Sequence, residues 1–309
     1  MTRDLSTRRK GILLAAGTAV ISGFAVFLNG YAVRAWAEVS DATTYTTAKN
    51  LLAGLAIGLF GLGMSKAASP RRPSIPAGTK SRVMLVAIAV IGGSVPFALF
   101  FEGLARASSA QAAIIHKTLV VWVTLLALVF LRERIGWPHV GAIGLLVWGQ
   151  TVLAGGLGAL SWGSGETLIL VATLLWSVEV VVAKRLLPEV SYATVAKARM
   201  IGGAAVLVAW TLVRGADVEW AALTSSRMIW VVVAAVFLSG YVLTWFAALS
   251  MAPAVDVTAV LVGGALITAF LQSTLEGDPL PDPTGALLVL AGMALAAAAS
   301  WRRPGASRL

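Results

Sequence analysis

Residues Ala107–Glu133 read ASSAQAAIIHKTLVVWVTLLALVFLRE and place a histidine and a lysine, His116 and Lys117, in the middle of an otherwise apolar run. A charged side chain at the centre of a bilayer is disfavoured by about 2.5–3.5 kcal/mol on insertion scales, so such residues usually face a bundle interior or a wet cavity. Helical spacing predicts that one small and polar face turns inward; it comprises Ser109, Ala113, Lys117 and Thr124. Lys117 is therefore the first candidate binding residue, with His116 beside it.

The composition of the whole chain is that of an integral membrane protein. Hydrophobic side chains make up 58% of the 309 residues and charged ones 12%, with a mean hydropathy of +0.86, whereas soluble domains have roughly 45–50% apolar and 25% charged residues. A helix needs about 20 apolar residues to span lipid. The sequence predicts an all-α membrane protein with ten transmembrane helices: Gly11–Tyr31, Thr43–Met64, Arg82–Phe101, Ala107–Leu131, Trp137–Leu157, Gly165–Lys184, Ser191–Val213, Arg227–Ser250, Ala254–Gln272 and Thr284–Trp301.

The net charge of +10 follows this topology and does not form a nucleic-acid-binding patch. Sixteen of the 24 Lys and Arg residues fall in tails and loops on the side of the N-terminus, four in the opposite loops and four within spans. Because cytoplasmic loops carry an excess of Lys and Arg, both termini are predicted to be cytoplasmic. We expect a multi-pass protein of the cell inner (plasma) membrane, monomeric, with the lipid bilayer and a small-molecule substrate as partners and no nucleic acid.

The reactive side chains of the sequence are few. The absence of cysteine excludes a disulfide, a thiolate metal site and a cysteine nucleophile. The two histidines are His116, within a span, and His139, beside a predicted cytoplasmic turn. An enzyme needs a cluster of nucleophile, base or metal ligands, and these residues do not form one. We predict no cofactor, no metal site and no enzymatic activity.

Further polar and aromatic residues within the spans are candidates for a substrate site. Ser22 and Asn29 share a small, polar face of the first span, which favours either packing or cavity lining. Lys49 is expected in the outer half of the second span, where a lysine either snorkels to the interface or has a function. Trp176 and Glu179 share a face of the sixth span at i, i+3 spacing, with a structural carboxylate as the alternative for Glu179. The predicted substrate-binding residues are Lys117, His116, Glu179, Trp176, Asn29, Ser22, Tyr241, Trp245 and Lys49.

Local motifs add three expectations about the backbone. Glycines and a proline at 92, 93 and 96 predict a bend in the third span, and the G-x-x-x-G of Gly54 and Gly58 favours close helix approach. The Pro- and Arg-rich stretch Ser69–Pro76 predicts a cytoplasmic loop against acidic lipid head groups. A cleaved signal ending near Ala35-Trp36-Ala37 is the alternative for the N-terminus, although the apolar run exceeds the usual 7–15 residues of a signal peptide.

The sequence of the second half of the chain is similar to that of the first half. Tyr45-Thr46-Thr47-Ala48-Lys49 is similar to Tyr192–Lys197, and the joint that ends at Glu133 is similar to the one that ends at Glu276, an offset of 276 − 133 = 143. Repeats with an odd number of spans must be inserted upside down relative to each other. We therefore predict two inverted five-helix repeats, residues 1–158 and 159–309, with a substrate site near the midplane between them.

These features resemble the EamA-type members of the drug/metabolite transporter superfamily over nearly the whole chain. The resemblance is carried by the acidic residue after the fourth helix of each half, in Leu131-Arg132-Glu133-Arg134 and Leu275-Glu276-Gly277, and by a fifth helix rich in glycine: Gly141, Gly144, Gly149, Gly285 and Gly292. The family often has a proline in the fourth helix, where this chain has His116-Lys117-Thr118-Leu119. The resemblance implies a carrier of amino acids, metabolites or drugs, commonly an exporter.

The function predicted from the sequence is secondary active transport of a small polar metabolite by alternating access, with export as the expected direction. The predicted spans contain four basic and two acidic residues, a net charge of 4 − 2 = +2. A positive net charge in the spans favours an amino acid or another carboxylate-bearing solute. Alternatively, Lys197, Arg199 and Asp256 lie near the inner interface and only snorkel. A further hypothesis pairs Lys117 with Glu179 across the cavity. A channel or sensor, or a membrane-embedded lipid-modifying enzyme, is the alternative function.

Overall fold

The computed structural model describes residues 2–64, 78–156, 162–277 and 279–302, and these residues form an all-helical protein. The helices are α1 (Thr2–Trp36), α2 (Ala42–Met64), α3 (Thr79–Ile91), α4 (Val95–Leu104), α5 (Ser109–Lys117), α6 (Leu119–Leu126), α7 (Trp137–Leu153), α8 (Ser164–Leu186), α9 (Tyr192–Lys197), α10 (Gly203–Arg214), α11 (Ser225–Met251), α12 (Ala254–Leu261), α13 (Gly264–Leu275) and α14 (Pro283–Arg302). Wider π turns at Ala127–Leu131 and Ala198–Gly202 extend α6 and join α9 to α10.

Eight helical segments of the described residues are long and apolar enough to cross a membrane. The predicted second and fifth spans are helical as well, as α2 and α7, but they are not among these eight. Since α7 has 17 residues, it is at the short end of the range of transmembrane helices. Ten spans with cytoplasmic termini thus stay a prediction. The predicted loop at Ser69–Pro76 and the repeat boundary at Gly158 lie outside the described residues.

The third span is broken near its middle, and the fourth is distorted there. The predicted bend is confirmed, because α3 ends at Ile91 and α4 begins at Val95 after two glycines. The fourth span is distorted at Thr118, whose N–H bonds to the carbonyls of both Ile114 and Ile115 and whose hydroxyl donates to the Ile115 carbonyl at 2.7 Å, in competition with the regular helical bonds. The ninth span breaks at the corresponding place, between α12 and α13. Broken helices at mid-membrane depth are typical of secondary transporters.

Glycines allow helices of the two halves to touch at backbone distance. A Cβ atom built on Gly93 would lie 1.8 Å from the Arg199 carbonyl oxygen, and one on Gly203 would lie 2.4 Å from Gly93. Along α7 and α14, a Cβ on Gly149 would meet the Gly285 carbonyl oxygen at 2.9 Å. The close approach predicted for Gly54 is also present, with the Met200 carbonyl at 3.1 Å from its Cβ position.

Exposed tryptophans lie at both ends of the bundle. Trp137, at the start of α7, is 87% exposed, and Trp301, at the end of α14, is also exposed. Trp162 and Trp220 are exposed beside α8 and α11 at the other end. Tryptophan is enriched where a membrane meets water, so these residues fit a bundle that is embedded between two aromatic belts.

Candidate substrate cavity

A cavity of about 90 Å³ lies at the centre of the bundle, between the two halves of the chain. Its polar lining consists of Ser22, Asn29, Lys49, His116, Glu179 and Arg199, and its aromatic lining consists of Phe97, Phe100, Phe101, Trp176, Tyr241 and Trp245. Eight of the nine predicted substrate-binding residues are in this set, the exception being Lys117. Each half of the chain supplies both charged and aromatic residues.

An ion pair between Glu179 and Arg199 lies in the cavity wall. The Arg199 Nε lies 3.3 Å from Glu179 Oε1, and the two residues are only 4% and 1% exposed. Nε donates its hydrogen bond to the Gly92 carbonyl at 3.3 Å. Glu179 Oε1 accepts no hydrogen bond from the described residues. A buried carboxylate with a free lone pair is a natural acceptor for a donor group on a bound solute.

The break in the third span supplies the backbone group that positions this pair. Because helix α3 ends at Ile91, the carbonyl of Gly92 is available to side chains, and it accepts hydrogen bonds from Trp176 Nε1 at 3.0 Å and from Arg199. A Cβ atom on Gly92 would lie 2.4 Å from the Glu179 carboxyl carbon. Only glycine at position 92 therefore leaves room for the carboxylate.

Lys49 is the second cation of the cavity, and it does not snorkel. Its side chain is 1% exposed, and its ammonium lies 3.5 Å from the ring centroid of Phe101 and 3.4 Å from Asn29 Oδ1. Tyr45 donates to the same amide oxygen at 2.8 Å. A cation over an aromatic face is stabilised by the ring quadrupole, which lets the lysine stay inside the bundle without a carboxylate.

Lys117 lies behind the wall and does not pair with Glu179. Its ammonium donates to Ser22 Oγ at 3.0 Å, and its side chain lines a smaller, separate pocket with Gln150. The hypothesis of a Lys117–Glu179 pair is wrong for this conformation because Glu179 faces Arg199 instead. Since Ser22 accepts from Lys117, its own proton is free to donate into the cavity.

His116 belongs to an aromatic cluster at one side of the cavity. Its ring packs edge-on against Trp176, with centroids 5.0 Å apart, and against Phe100 at 5.5 Å. Its Nδ1 is buried and has no hydrogen-bond partner among the described residues. On the opposite wall Tyr241 stacks on Trp245, 6.0 Å apart and nearly parallel. The cavity lining therefore combines flat aromatic surfaces with a buried polar atom that has no hydrogen-bond partner among the described residues.

Comparison with known proteins assigns this architecture to a family. A sequence model of the EamA-like transporter family matches residues 9–155 and again residues 163–298. The chain belongs to the EamA-like transporter family. This family is part of the drug/metabolite transporter superfamily. The match begins anew at 163, so the predicted boundary at Gly158 falls between the two matched ranges.

The fold of this EamA-like transporter also has a relative among solved structures. A crystal structure of a protein matches 95% of this chain and 99% of its own, with a TM-score of 0.71 and 16% sequence identity. At that identity the likeness concerns the fold alone. No curated protein matches the chain in sequence.

One end of the transporter, which we call the Glu133 end, is closed by buried polar contacts. The carboxylate of Glu133 accepts hydrogen bonds from the N–H groups of Ala254, at 2.8 Å, and Val255, at 3.3 Å. His139 Nε2 lies 3.0 Å from Asp256 Oδ1, and both residues are buried. The expectation that Asp256 snorkels at the interface is wrong, because it faces a histidine of the other half.

The opposite end, which we call the Glu276 end, has an open vestibule of about 420 Å³. Leu104 lines both this vestibule and the central cavity, so the two spaces adjoin. Arg34 and Glu276 form an ion pair of 3.3 Å in its wall. The central cavity therefore adjoins the vestibule at the Glu276 end, whereas at the Glu133 end polar contacts join the two halves.

Sequence reasoning missed the role of Arg199. We had considered that it lies near the interface and snorkels, but it is buried, pairs with Glu179 and contacts the rings of Phe97 and Phe246. The π turn at Ala198–Gly202 rotates it inward, and periodicity at 3.6 residues per turn does not register such a turn. The one available signal was the Gly202-Gly203 pair, which marks a backbone contact. Among the described residues no cluster of three or more potential metal ligands occurs.

Proposed function

We propose that this protein is a secondary active transporter that exports a small carboxylate-bearing solute, most simply an amino acid, across the inner membrane by alternating access. The observation that carries the proposal is the buried Glu179–Arg199 pair in a cavity between the two halves that is also lined by six aromatic side chains. The family accounts for transport, and the chemistry of the cavity suggests the class of solute.

Both charges of an amino acid have partners in the cavity. Its carboxylate would bind to Arg199, Lys49 and the Ser22 hydroxyl, which are donors. Its ammonium would donate to Glu179 Oε1 and to His116 Nδ1, two buried atoms of cavity-lining residues that accept no hydrogen bond from the described residues. A ligand that leaves such groups unpaired loses affinity, which disfavours solutes with only one of the two charges.

The aromatic lining suggests that the rest of the solute is apolar. Besides its polar groups, the cavity is lined by the rings of Phe97, Phe100, Trp176, Tyr241 and Trp245. Ligand pockets of this kind gain affinity from the apolar walls and orientation from a few polar groups. We therefore expect an amino acid with an apolar or aromatic side chain to bind better than a sugar or a nucleoside.

The proposal is tested first by binding. Purified protein is screened by thermal shift against amino acids, organic acids and nucleosides, and compounds that raise the melting temperature are used for transport in proteoliposomes. We expect Arg199→Gln to reduce carboxylate transport at least tenfold, because a charge-assisted hydrogen bond contributes about 1.5–3 kcal/mol. The control Arg214→Gln removes an exposed arginine paired with Asp41 and should leave transport unchanged.

Three results would overturn the proposal. Transport of a purely cationic solute without competition by carboxylates would contradict the predicted sign of the site. Currents of single-channel size in planar bilayers would indicate a channel. Full transport by the Arg199→Gln variant would show that the cavity described here does not bind the solute.

A further inference from the structure

The closure at the Glu133 end is a helix cap that joins the two halves of the chain. Glu133 follows the fourth span of the first half, and its two carboxylate oxygens accept from Ala254 and Val255, the first two residues of α12 in the second half. The first four N–H groups of a helix have no partner within the helix, and the partial positive charge there attracts a carboxylate. Glu133 thus binds the second half of the chain by capping the N-terminus of α12, the first part of the ninth span.

The same components are present at the Glu276 end, but they lie apart. Glu276 follows the ninth span at the position that corresponds to Glu133, and α5 is the first part of the fourth span, as α12 is of the ninth. Glu276 and Ser108, the residue that precedes α5, line the same open vestibule. Here Glu276 is held by Arg34, on α1, with the two side chains 25% and 60% exposed.

We propose that Glu276 is the positioning residue that closes the vestibule, by capping α5 as Glu133 caps α12 in the present conformation. In that second state the Glu276 carboxylate leaves Arg34 and accepts from the N–H groups of Ser109 and Ala110, while Glu133 releases α12. This inference rests on the alternating access of the proposed function. It assigns to one side chain at each end the contact that distinguishes the two states.

Exchange of one cap for the other leaves the balance between the two states nearly even. Each state has one carboxylate on one helix N-terminus, so the electrostatic contribution is similar in both. A carrier needs a small free-energy difference between its two states, because a ligand can shift the equilibrium only by its differential affinity for them. Arg34 competes with α5 for Glu276 and so favours the open vestibule.

The backbone around the two glutamates differs in a way that fits this exchange. Arg132, directly before Glu133, adopts a left-handed conformation with φ 52° and ends the helix there. In the second half the left-handed residue is Gly277, directly after Glu276, with φ 77°. Glu276 is thus still part of the last helical turn, whereas Glu133 has left its helix and reached across to α12.

The test measures which end is open, and it needs no substrate. Because the protein has no cysteine, Gln272→Cys, in the vestibule wall, and Ala252→Cys, buried at the Glu133 end, serve as separate single-cysteine reporters in proteoliposomes. Each is labelled with a membrane-impermeant maleimide added to the side that it faces. The labelling rates report how often each end is open.

We expect reciprocal changes. Glu276→Gln should speed labelling of Gln272→Cys about tenfold and slow labelling of Ala252→Cys by a similar factor, and Glu133→Gln should do the reverse. A local electrostatic effect on the thiol would change only the nearer reporter. Glu276→Asp keeps the charge on a shorter side chain. It should change both labelling rates in the same direction as Glu276→Gln, but by a smaller factor.

Arg34→Gln separates the cap from the ion pair. If Glu276 caps α5, loss of Arg34 frees the carboxylate, so both reporters should move opposite to their change in Glu276→Gln. If Glu276 acts only through its ion pair with Arg34, the two variants should move both reporters in the same direction, and the proposal is overturned. An unchanged Ala252→Cys rate in Glu276→Gln would overturn it too. If the labelling rates change reciprocally but the protein transports no carboxylate, the proposed solute class is refuted and the capping proposal is still supported.

Discussion

At the scale of single residues, the cavity is determined by which buried charges are neighbours. Four charged side chains in or next to the cavity are nearly inaccessible, namely Lys49, Lys117, Glu179 and Arg199. Only Glu179 and Arg199 form an ion pair with each other, whereas Lys49 lies over an aromatic ring and Lys117 on a serine hydroxyl. The structure therefore separates one strongly coupled pair from two cations with neutral partners.

This separation predicts the outcome of two double-mutant cycles. Glu179→Gln and Arg199→Gln should each destabilise the protein by about 3–5 kcal/mol, because removal of one partner leaves the other charge buried and uncompensated, while the double variant should regain most of that stability. Neither single variant nor the double should transport. Lys117→Met and Glu179→Gln should instead be additive to within about 0.5 kcal/mol. Thermal and denaturant unfolding of the purified variants measures both couplings, and strong coupling between Lys117 and Glu179 would contradict the observed contacts.

Two neighbouring glycines allow a second comparison. Gly93→Ala should unfold the protein or prevent its insertion, because the added Cβ would meet the Arg199 backbone at 1.8 Å. Gly92→Ala should fold but lose transport, because the three atoms nearest to the added Cβ all belong to the Glu179 side chain, which can move aside. Gly144→Ala, with open space around it, should be neutral or stabilising by about 0.4–1 kcal/mol. Yield of monodisperse protein, melting temperature and transport distinguish these outcomes, and a fully active Gly92→Ala would show that the carboxylate position is not critical.

The sequence was sufficient to predict the helices and five of the six polar residues of the cavity, but not their pairing. Hydropathy and small-residue patterns placed Ser22, Asn29, Trp176 and Glu179 on inward faces, because one side of each of these helices is systematically smaller and more polar. The partner of Glu179 depends on helix rotation, which periodicity does not determine. Arg199 lies within a π turn, and this departure from 3.6 residues per turn changes the direction of its side chain relative to a regular helix.

At the scale of elements, α7 and α14 form a pair that is held by small residues. Lipid tails are as apolar as leucine, so two helices in a membrane associate through close packing and not through exclusion of water. Gly149, Gly285 and Gly292 allow this packing, since the Cβ position of each lies about 2.9 Å or less from an atom of the facing helix. The pair joins the last helix of one half to the last helix of the other, at some distance from the cavity.

Substitution within α7 tests this packing. Gly149→Ala should destabilise the protein by about 1–3 kcal/mol through overpacking, because the added methyl group would meet Val289 at 2.8 Å and the Gly285 carbonyl at 2.9 Å. Gly141→Ala is the matched control on the same helix, where the nearest atom of Leu295 lies at an ordinary 3.6 Å. Melting temperatures of the two variants provide the comparison. Equal melting temperatures would mean that the helices separate at little cost.

At the scale of the whole molecule, the candidate cavity is lined by both halves of the chain. Ser22, Lys49 and His116 come from the first half, and Glu179 and Arg199 come from the second. The contacts that close the Glu133 end also cross between the halves, as Glu133 with α12 and His139 with Asp256 show. The second half contains the Glu179–Arg199 ion pair, but Lys49, Ser22 and His116 on the facing walls, and the partners Glu133 and His139, come from the first half.

The chain should therefore be separable into two parts that work only together. A fragment of residues 1–158 should insert but not transport, because it has the cations Lys49 and Lys117 without Glu179 or Arg199. Co-expression with residues 159–309 should restore transport of the solute that the full-length protein transports, since the halves contact each other through the glycines and the Glu133 cap. Co-purification of the second fragment with a tagged first fragment shows assembly, and Gly93→Ala in the first fragment should abolish it while Gly144→Ala does not. Transport by residues 1–158 alone at the full-length rate would refute a site shared between the halves.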